Sequence, residues 1–192
     1  MNPFPGLPLR SYGAILADPP WAFRTYGGDD ATPHRTDEDH YSVMSLGDLK
    51  RLPVGDLAAK SCVLFLWVVD THLDQCFDVA KGWGFRYKTR AFEWFKTKKG
   101  IIDPHHYVES DFPISMGYWS RKQCESCLLF TKGNPPRLNA DVRQVIFAPR
   151  REHSRKPDQQ YGRIERLVNG PFIELFARHY QPGWDGWGDE YI

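Results

Sequence analysis

The run Cys62–Val69 (CVLFLWVV) constrains the fold of this chain more than any other segment. It is too short to cross a membrane, and it shows no polar face. A strand with apolar side chains on both sides must be covered on both sides, which a parallel sheet between layers of helices achieves. Other segments agree with this. Gly13–Ala17 (GAILA) reads as a short buried strand halted by Asp18–Pro19–Pro20, and Tyr87–Phe95, Cys124–Thr131, Arg143–Ala148 and Phe172–Ala177 read as further strands. A helix is predicted over Ser45–Leu52. A second follows Val69, with Asp70 or Thr71 as its cap and Leu73, Phe77 and Ala80 on its buried face. A third begins at Pro157 and turns Tyr161, Ile164, Leu167 and Val168 inward. Strands alternating with helices predict a three-layer α/β fold with a mostly parallel sheet. The 192 residues suffice for one such domain over 1–192.

Charge narrows the function classes. Lys plus Arg number 25 against 24 Asp plus Glu, so a globally basic nucleic-acid binder is excluded. A nucleic acid would have to be held by local clusters: Arg150, Arg151, Arg155 and Lys156 with His153, then Lys96, Lys98 and Lys99, then Arg121–Lys122. No basic start followed by an apolar stretch opens the chain, and no span is long enough for a bilayer, so a cytoplasmic protein without membrane contact is expected. Cys124 and Cys127 form a lone C-x-x-C beside Cys62 and Cys76, without a second pair at ligand spacing, so core thiols are expected and no metal. Two polar stretches, Arg24–Asp39 and Thr97–Arg121, are longer than connections need to be and are candidate functional loops.

The chemistry is concentrated in Asp18–Pro19–Pro20–Trp21, at the end of a buried strand where open α/β sheets bind ligands. An exocyclic aromatic amine is a poor nucleophile because its lone pair is delocalised into the ring. Two acceptors aimed at its N–H bonds localise that pair. Asp18 offers one, and the Pro19 carbonyl, held extended by the proline after it, offers the other. Trp21 supplies a flat face on which a base can stack. Asn134–Pro135–Pro136 looks similar but is followed by Arg137 in a Gly/Pro-rich stretch and reads as a turn.

The chain resembles the MT-A70 family of adenine N6-methyltransferases. The resemblance rests on blocks in family order: ADPPW (Ala17–Trp21), LFLWV (Leu64–Val68), WGF (Trp83–Phe85), GYW (Gly117–Trp119), EHSRKPDQ (Glu152–Gln159), IELFAR (Ile173–Arg178) and GWDGWGDE (Gly183–Glu190). It implies a circularly permuted, Rossmann-like, S-adenosylmethionine-dependent methyltransferase, with the catalytic strand first and the cofactor strand near the end. It also implies that Asp18 faces both cofactor and target base. Lys156 then lies near the methionine end of the cofactor, Arg178, His179 and Tyr180 line the ribose side, Asp189 and Glu190 bond ribose and adenine, and Glu174 and Phe176 lie on the cofactor strand. Many relatives carry Asn at the position of Asp189 and Glu at that of Gln159. Trp184 and Trp187 are expected to pack rather than stack on bases.

The expected activity is methylation of the adenine amine in DNA, with RNA as the other substrate. Arg24, Tyr41, Arg150, Arg151 and Arg155 are the expected nucleic-acid contacts, and the stretch after Trp21 covers the base. The absence of long disordered and zinc-binding extensions points to a bacterial or phage-type enzyme and to DNA. Sequence choice is expected from loops, a second copy in a homodimer, or a partner subunit. Two other readings are an inactive binding scaffold on the same fold, against which the intact Asp18–Trp21 motif argues, and methylation of another planar amine such as that of guanine or a protein glutamine.

Overall fold

The computed structural model describes residues 3–21, 44–100, 107–115, 119–152, 155–189 and 191. Seven strands form one sheet: β1 (Tyr12–Ala17), β2 (Ala58–Val68), β3 (Arg86–Thr97), β4 (Cys124–Lys132), β5 (Val145–Pro149), β6 (Phe172–Leu175) and β7 (Trp184–Trp187). They lie in the order β5-β3-β4-β2-β1-β6-β7. The apolar run falls in β2, where Cys62, Leu64 and Leu66 enter the core on one face and Val63, Phe65 and Trp67 the core on the other. Helices α1 (Leu46–Arg51) and α2 (Leu73–Gly82) cover the first face through Leu49, Cys76, Val79 and Ala80. Helix α3 (Gln159–Leu167) covers the second through Ile164 and Leu167. The arrangement is the predicted three-layer α/β fold.

Parallel pairing joins β1 to β2, β1 to β6, β6 to β7 and β3 to β5, whereas β4 is antiparallel to both β2 and β3. Two consequences follow. The chain leaves β1 toward β2 on one side and returns as β6 on the other, which makes the crevice beyond the ends of β1 and β6 the switch point where such sheets bind ligands. Because β4 alone runs backwards, its first residues lie at the edge where the other six strands end.

As the sequence predicts, β3, β4 and β5 follow one another without an intervening α-helix among the described residues. Several local expectations are corrected. Neither Asp70 nor Thr71 caps α2. Both belong to a 3₁₀ turn (Asp70–His72), and α2 starts after it with His72 at the cap position and no side-chain cap. Within α2 the buried stripe is Cys76, Val79 and Ala80, which leaves Leu73 and Phe77 about 40% exposed. Phe77 packs edge-on against Tyr87 and Phe130 instead. Pro157 precedes α3 rather than opening it, because Asp158 takes the cap position. Strand β7 was not expected: four residues, one of them glycine, carry no alternation signal. Its Trp184 is buried and stacks on Phe172 at 4.9 Å, while Trp187 meets Phe4 and Phe176 edge-on. Both tryptophans pack, as predicted. Asn134–Pro135–Pro136 forms no helix or strand and leaves β4 at the edge opposite Asp18.

Candidate active site

Asp18 follows β1 directly and turns toward the α3 face. Its Oδ2 accepts from Lys156 Nζ at 2.7 Å, bringing together two residues 138 positions apart. Lys156 also lies 3.4 Å from Oε2 of Glu125, the second residue of β4, and the other oxygen of Glu125 pairs with Lys96 at the end of β3. The result is a row of alternating charge, Lys96–Glu125–Lys156–Asp18, along one sheet edge. Lys156 Nζ sits 5.7 Å from the centre of the Trp67 ring, whose Nε1 donates to buried Gln160 Oε1 at 2.7 Å.

The row sets the ionisation of its members. Burial alone would raise the Glu125 carboxyl, but Lys156 and Lys96 outweigh it and hold the group at about 2. Burial alone would lower Lys156, and Asp18 and Glu125 more than offset this, so its pKa is raised and it stays charged. Glu174, on β6 beside Asp18, behaves differently. Burial pushes it up to about 7, with the field of Asp18 adding to the rise and a 2.9 Å hydrogen bond from the Tyr161 hydroxyl opposing it.

The four-residue motif departs from one expectation. The Pro19 carbonyl accepts from the Trp21 N–H at 2.8 Å and the Pro20 carbonyl accepts from the Met44 N–H at 3.2 Å. The resulting tight turn folds Trp21 inward. It is 4% exposed, donates from Nε1 to the Trp67 carbonyl at 3.0 Å, and tilts against His72 at 5.7 Å. Trp21 therefore braces the motif against β2 and does not present a face to a base. The Pro19 carbonyl keeps a second lone pair.

Beyond β6, Phe176 takes a left-handed conformation (φ 62°), unusual for a bulky residue and a mark of a backbone held by its surroundings. The Ala177 N–H donates to the Trp187 carbonyl at 2.9 Å, tying the end of β6 to the end of β7. Gly188 lies so close that a Cβ there would stand 2.4 Å from the Ala177 oxygen and 2.8 Å from its nitrogen. Since backbone cannot swing aside, Gly188→Ala is expected to cost about 1–3 kcal/mol and lower the melting temperature accordingly. An unchanged melting temperature in thermal unfolding would show that the two loops are not locked. The lock gathers Arg178, half-buried, with His179, Tyr180 and Asp189, all exposed, beyond the end of β6. Glu190, Arg24, Tyr41 and His153 lie outside the described residues.

The described residues of all three basic clusters lie at the Asp18 edge, since they end or follow β3, follow β5 or precede β4. Within them, Arg151 is corrected. Its guanidinium grips Asp158 with two bonds (2.7 and 2.8 Å) and also donates to the Lys156 carbonyl, so it shapes the segment that delivers Lys156. Arg155 adds a weaker contact to Asp158 at 3.2 Å. Arg150 is exposed. Sequence reasoning missed Glu125, Trp67, Tyr161 and Gln160. Glu125 in the polar–apolar border of a strand carries no signal until β4 is known to run backwards. The clefts lined by Gly13 and Asn169, and by Arg10 and Lys132, open at the opposite edge and contain none of these residues. Cys127 is buried and Cys124 half-buried, and both are free thiols.

A sheet with its switch point beside an Asp-Pro-Pro-Trp turn, and a tethered loop pair beyond the neighbouring strand, defines a Rossmann-like methyltransferase. The chain belongs to the MT-A70 family, whose profile matches residues 12–190. It is 34% identical to the Type II methyltransferase M.MunI of a Mycoplasma species, over 97% of this chain and 81% of that protein. It is 28% identical to mouse METTL4, an N(6)-adenine-specific methyltransferase, and 30% identical to human METTL3, an N(6)-adenosine-methyltransferase catalytic subunit. Each of these alignments covers 95% of this chain, but only 38% and 28% of the respective relatives. No helix among the described residues is long and apolar enough to cross a membrane.

Proposed function

We propose that this chain is one methyltransferase domain over residues 1–192 that methylates N6 of adenine in DNA. The observation that carries the reading is Asp18, at the end of the central strand β1, held by Lys156 and followed by the Pro19 carbonyl at the sheet's switch point. RNA is the competing substrate. DNA is favoured because the relative named as a Type II methyltransferase is matched over most of its length, while METTL3 is matched over only 28%.

The donor set fits S-adenosylmethionine, which when bound supplies an electrophilic methyl group on a sulfonium. Asp18 and Glu174 are acceptors beside a cationic ligand, Arg178, His179, Tyr180 and Asp189 surround the loops where ribose and adenine would lie, and Glu190 is assigned to the same ligand. Phe176 shapes that turn through its left-handed backbone. Lys156 fixes the rotamer of Asp18 by its 2.7 Å bond, so Asp18 needs little reorganisation when it meets a target amine. With one acceptor from Asp18 and one from Pro19, the amine lone pair is directed out of the ring plane, and Asp18 stabilises the positive charge that develops on nitrogen. Pro20 keeps the carbonyl before it rigid, and Trp21 anchors the turn. A duplex adenine must first leave the stack. Arg150 and Arg155, with Arg24 and Tyr41, are assigned to the nucleic acid, and Arg151 is not. Recognition of flanking sequence is assigned to edge loops with a second copy or a partner subunit. A cytoplasmic location belongs to the same proposal.

Glu174 predicts a pH dependence. Its folded pKa of about 7 lies above its ordinary 4.5, so the carboxylate that favours a cationic cofactor is largely absent at pH 6 and present at pH 8. Affinity for S-adenosylmethionine is expected to rise several-fold across that interval, and Glu174→Gln to flatten the profile. Calorimetry at both pH values checks this, and a parent profile as flat as that of the variant removes Glu174 from the cofactor site.

The function itself is tested with purified protein, methyl-labelled S-adenosylmethionine and matched DNA and RNA pools, digested to nucleosides for mass analysis. Labelled N6-methyldeoxyadenosine is expected. Label in N6-methyladenosine alone would replace DNA with RNA, and label only in added protein would overturn the nucleic-acid reading.

A further inference from the structure

Six of the seven tryptophans have a place in the packing, and each donates its indole N–H: Trp21 to Trp67, Trp67 to Gln160, Trp83 to Leu49, Trp94 to Ala148, Trp184 to Glu165 and Trp187 to Pro3. The seventh, Trp119, is 89% exposed. An indole left in water forfeits the burial that makes tryptophan worth carrying, so its exposure points to contact with something outside the chain.

Its position indicates the contact. Trp119 lies between Ser115 and Lys122, which pair as an antiparallel bridge (N–O distances 3.2 and 3.3 Å) and are tied again by the Ser115 hydroxyl at 2.6 Å. Lys122 Nζ reaches Asp70 at 3.6 Å, pinning this loop to the turn whose His72 packs on Trp21. Three residues after Lys122 comes Glu125, which contacts Lys156. The loop therefore rises from the edge that carries Asp18. Exposed Arg121 stands two residues away, and exposed Lys98 and Lys99 extend from the neighbouring strand β3.

We propose that Trp119 is a positioning residue that stacks on a base next to the target adenine, while Arg121, Lys98 and Lys99 contact the adjoining phosphates. The inference rests on the nucleic-acid methyltransferase reading above. It assigns to Trp119 the stacking role that the burial of Trp21 leaves unfilled. A cationic surround suits a polyanion, and an indole face accepts any base, so this contact holds the strand without selecting its sequence.

Trp119→Ala and Trp119→Phe, with the parent, are titrated with a fluorescently labelled single-stranded oligonucleotide containing one adenine, and their KM and kcat on it are measured. In the parent, oligonucleotide is expected to quench tryptophan emission. Trp119→Ala is expected to weaken binding by about 5- to 150-fold, with the loss in KM rather than kcat, and Trp119→Phe to restore most of it. S-adenosylmethionine affinity and melting temperature stay at parent values. A parent that methylates the oligonucleotide, with Trp119→Ala equal to it in affinity and KM, overturns the stacking role and leaves the methyltransferase reading intact. Unchanged oligonucleotide affinity with a lowered oligomeric mass also overturns it and assigns Trp119 to a protein contact. A parent that neither binds nor methylates nucleic acid overturns both.

Discussion

Asp18→Asn and Asp18→Ala are each expected to slow methyl transfer by at least about a hundredfold while leaving the fold intact. Loss of one preorganised polar group aimed at developing charge typically costs 10²–10³ in rate, and here the same side chain also orients the amine. Stability should survive because Lys156 retains Glu125 at 3.4 Å and is not left as an orphaned buried charge. Label transfer at saturating methyl donor and nucleic acid gives the rate, and thermal unfolding gives the control. A well-folded Asp18→Asn protein with more than a tenth of parent activity would falsify the proposed role.

Removing Glu125 should act on the opposite quantity. The carboxyl is held at about 2 against an ordinary 4.5, worth about 3 kcal/mol of folding stability. A depressed carboxyl stabilises the folded state fully above its unfolded value and loses that contribution as pH falls through its folded one. Glu125→Gln is therefore expected to be about 3 kcal/mol less stable at pH 7, a drop of roughly 6–12 °C in melting temperature for a chain of this length. The gap between variant and parent should narrow as pH falls from 4.5 toward 2. Lys96 and Lys156, left facing one another, account for the loss. Equal unfolding curves for variant and parent at pH 7 would mean that the row of charges is not coupled.

The parts of the site written in consecutive residues were legible in the sequence. Asp18 and the two prolines announce a strand end with chemistry attached, and Cys62–Val69 announces the two-sided sheet. Lys156 and the residues from Glu174 to Asp189 came from resemblance, and folding brings the lysine onto Asp18. Glu125 was not legible because its meaning depends on strand direction, which periodicity does not encode. Arg151 and Trp21 were misread for one shared reason. Charge and aromaticity show what a side chain can bind, but not whether a neighbour within the chain, Asp158 or Trp67, already binds it. The face of α2 was misread because Leu73, Phe77 and Ala80 share a helical stripe, as do Cys76, Val79 and Ala80, and spacing alone does not say which stripe docks on the sheet.

The pairing of β1 with β6 has a consequence for how the enzyme comes into being. Ala14 finds its partner Phe172 only after nearly the whole intervening chain has been made, and Asp18 waits as long for Lys156. A nascent chain emerging from the ribosome thus displays Asp18 early and gains the strand on the open side of β1 only near its end. Such distant pairing slows folding and leaves the flank of the central strand open meanwhile. A chain that stops before β6 carries Asp18 without β6, β7 and the backbone bond that ties their ends together.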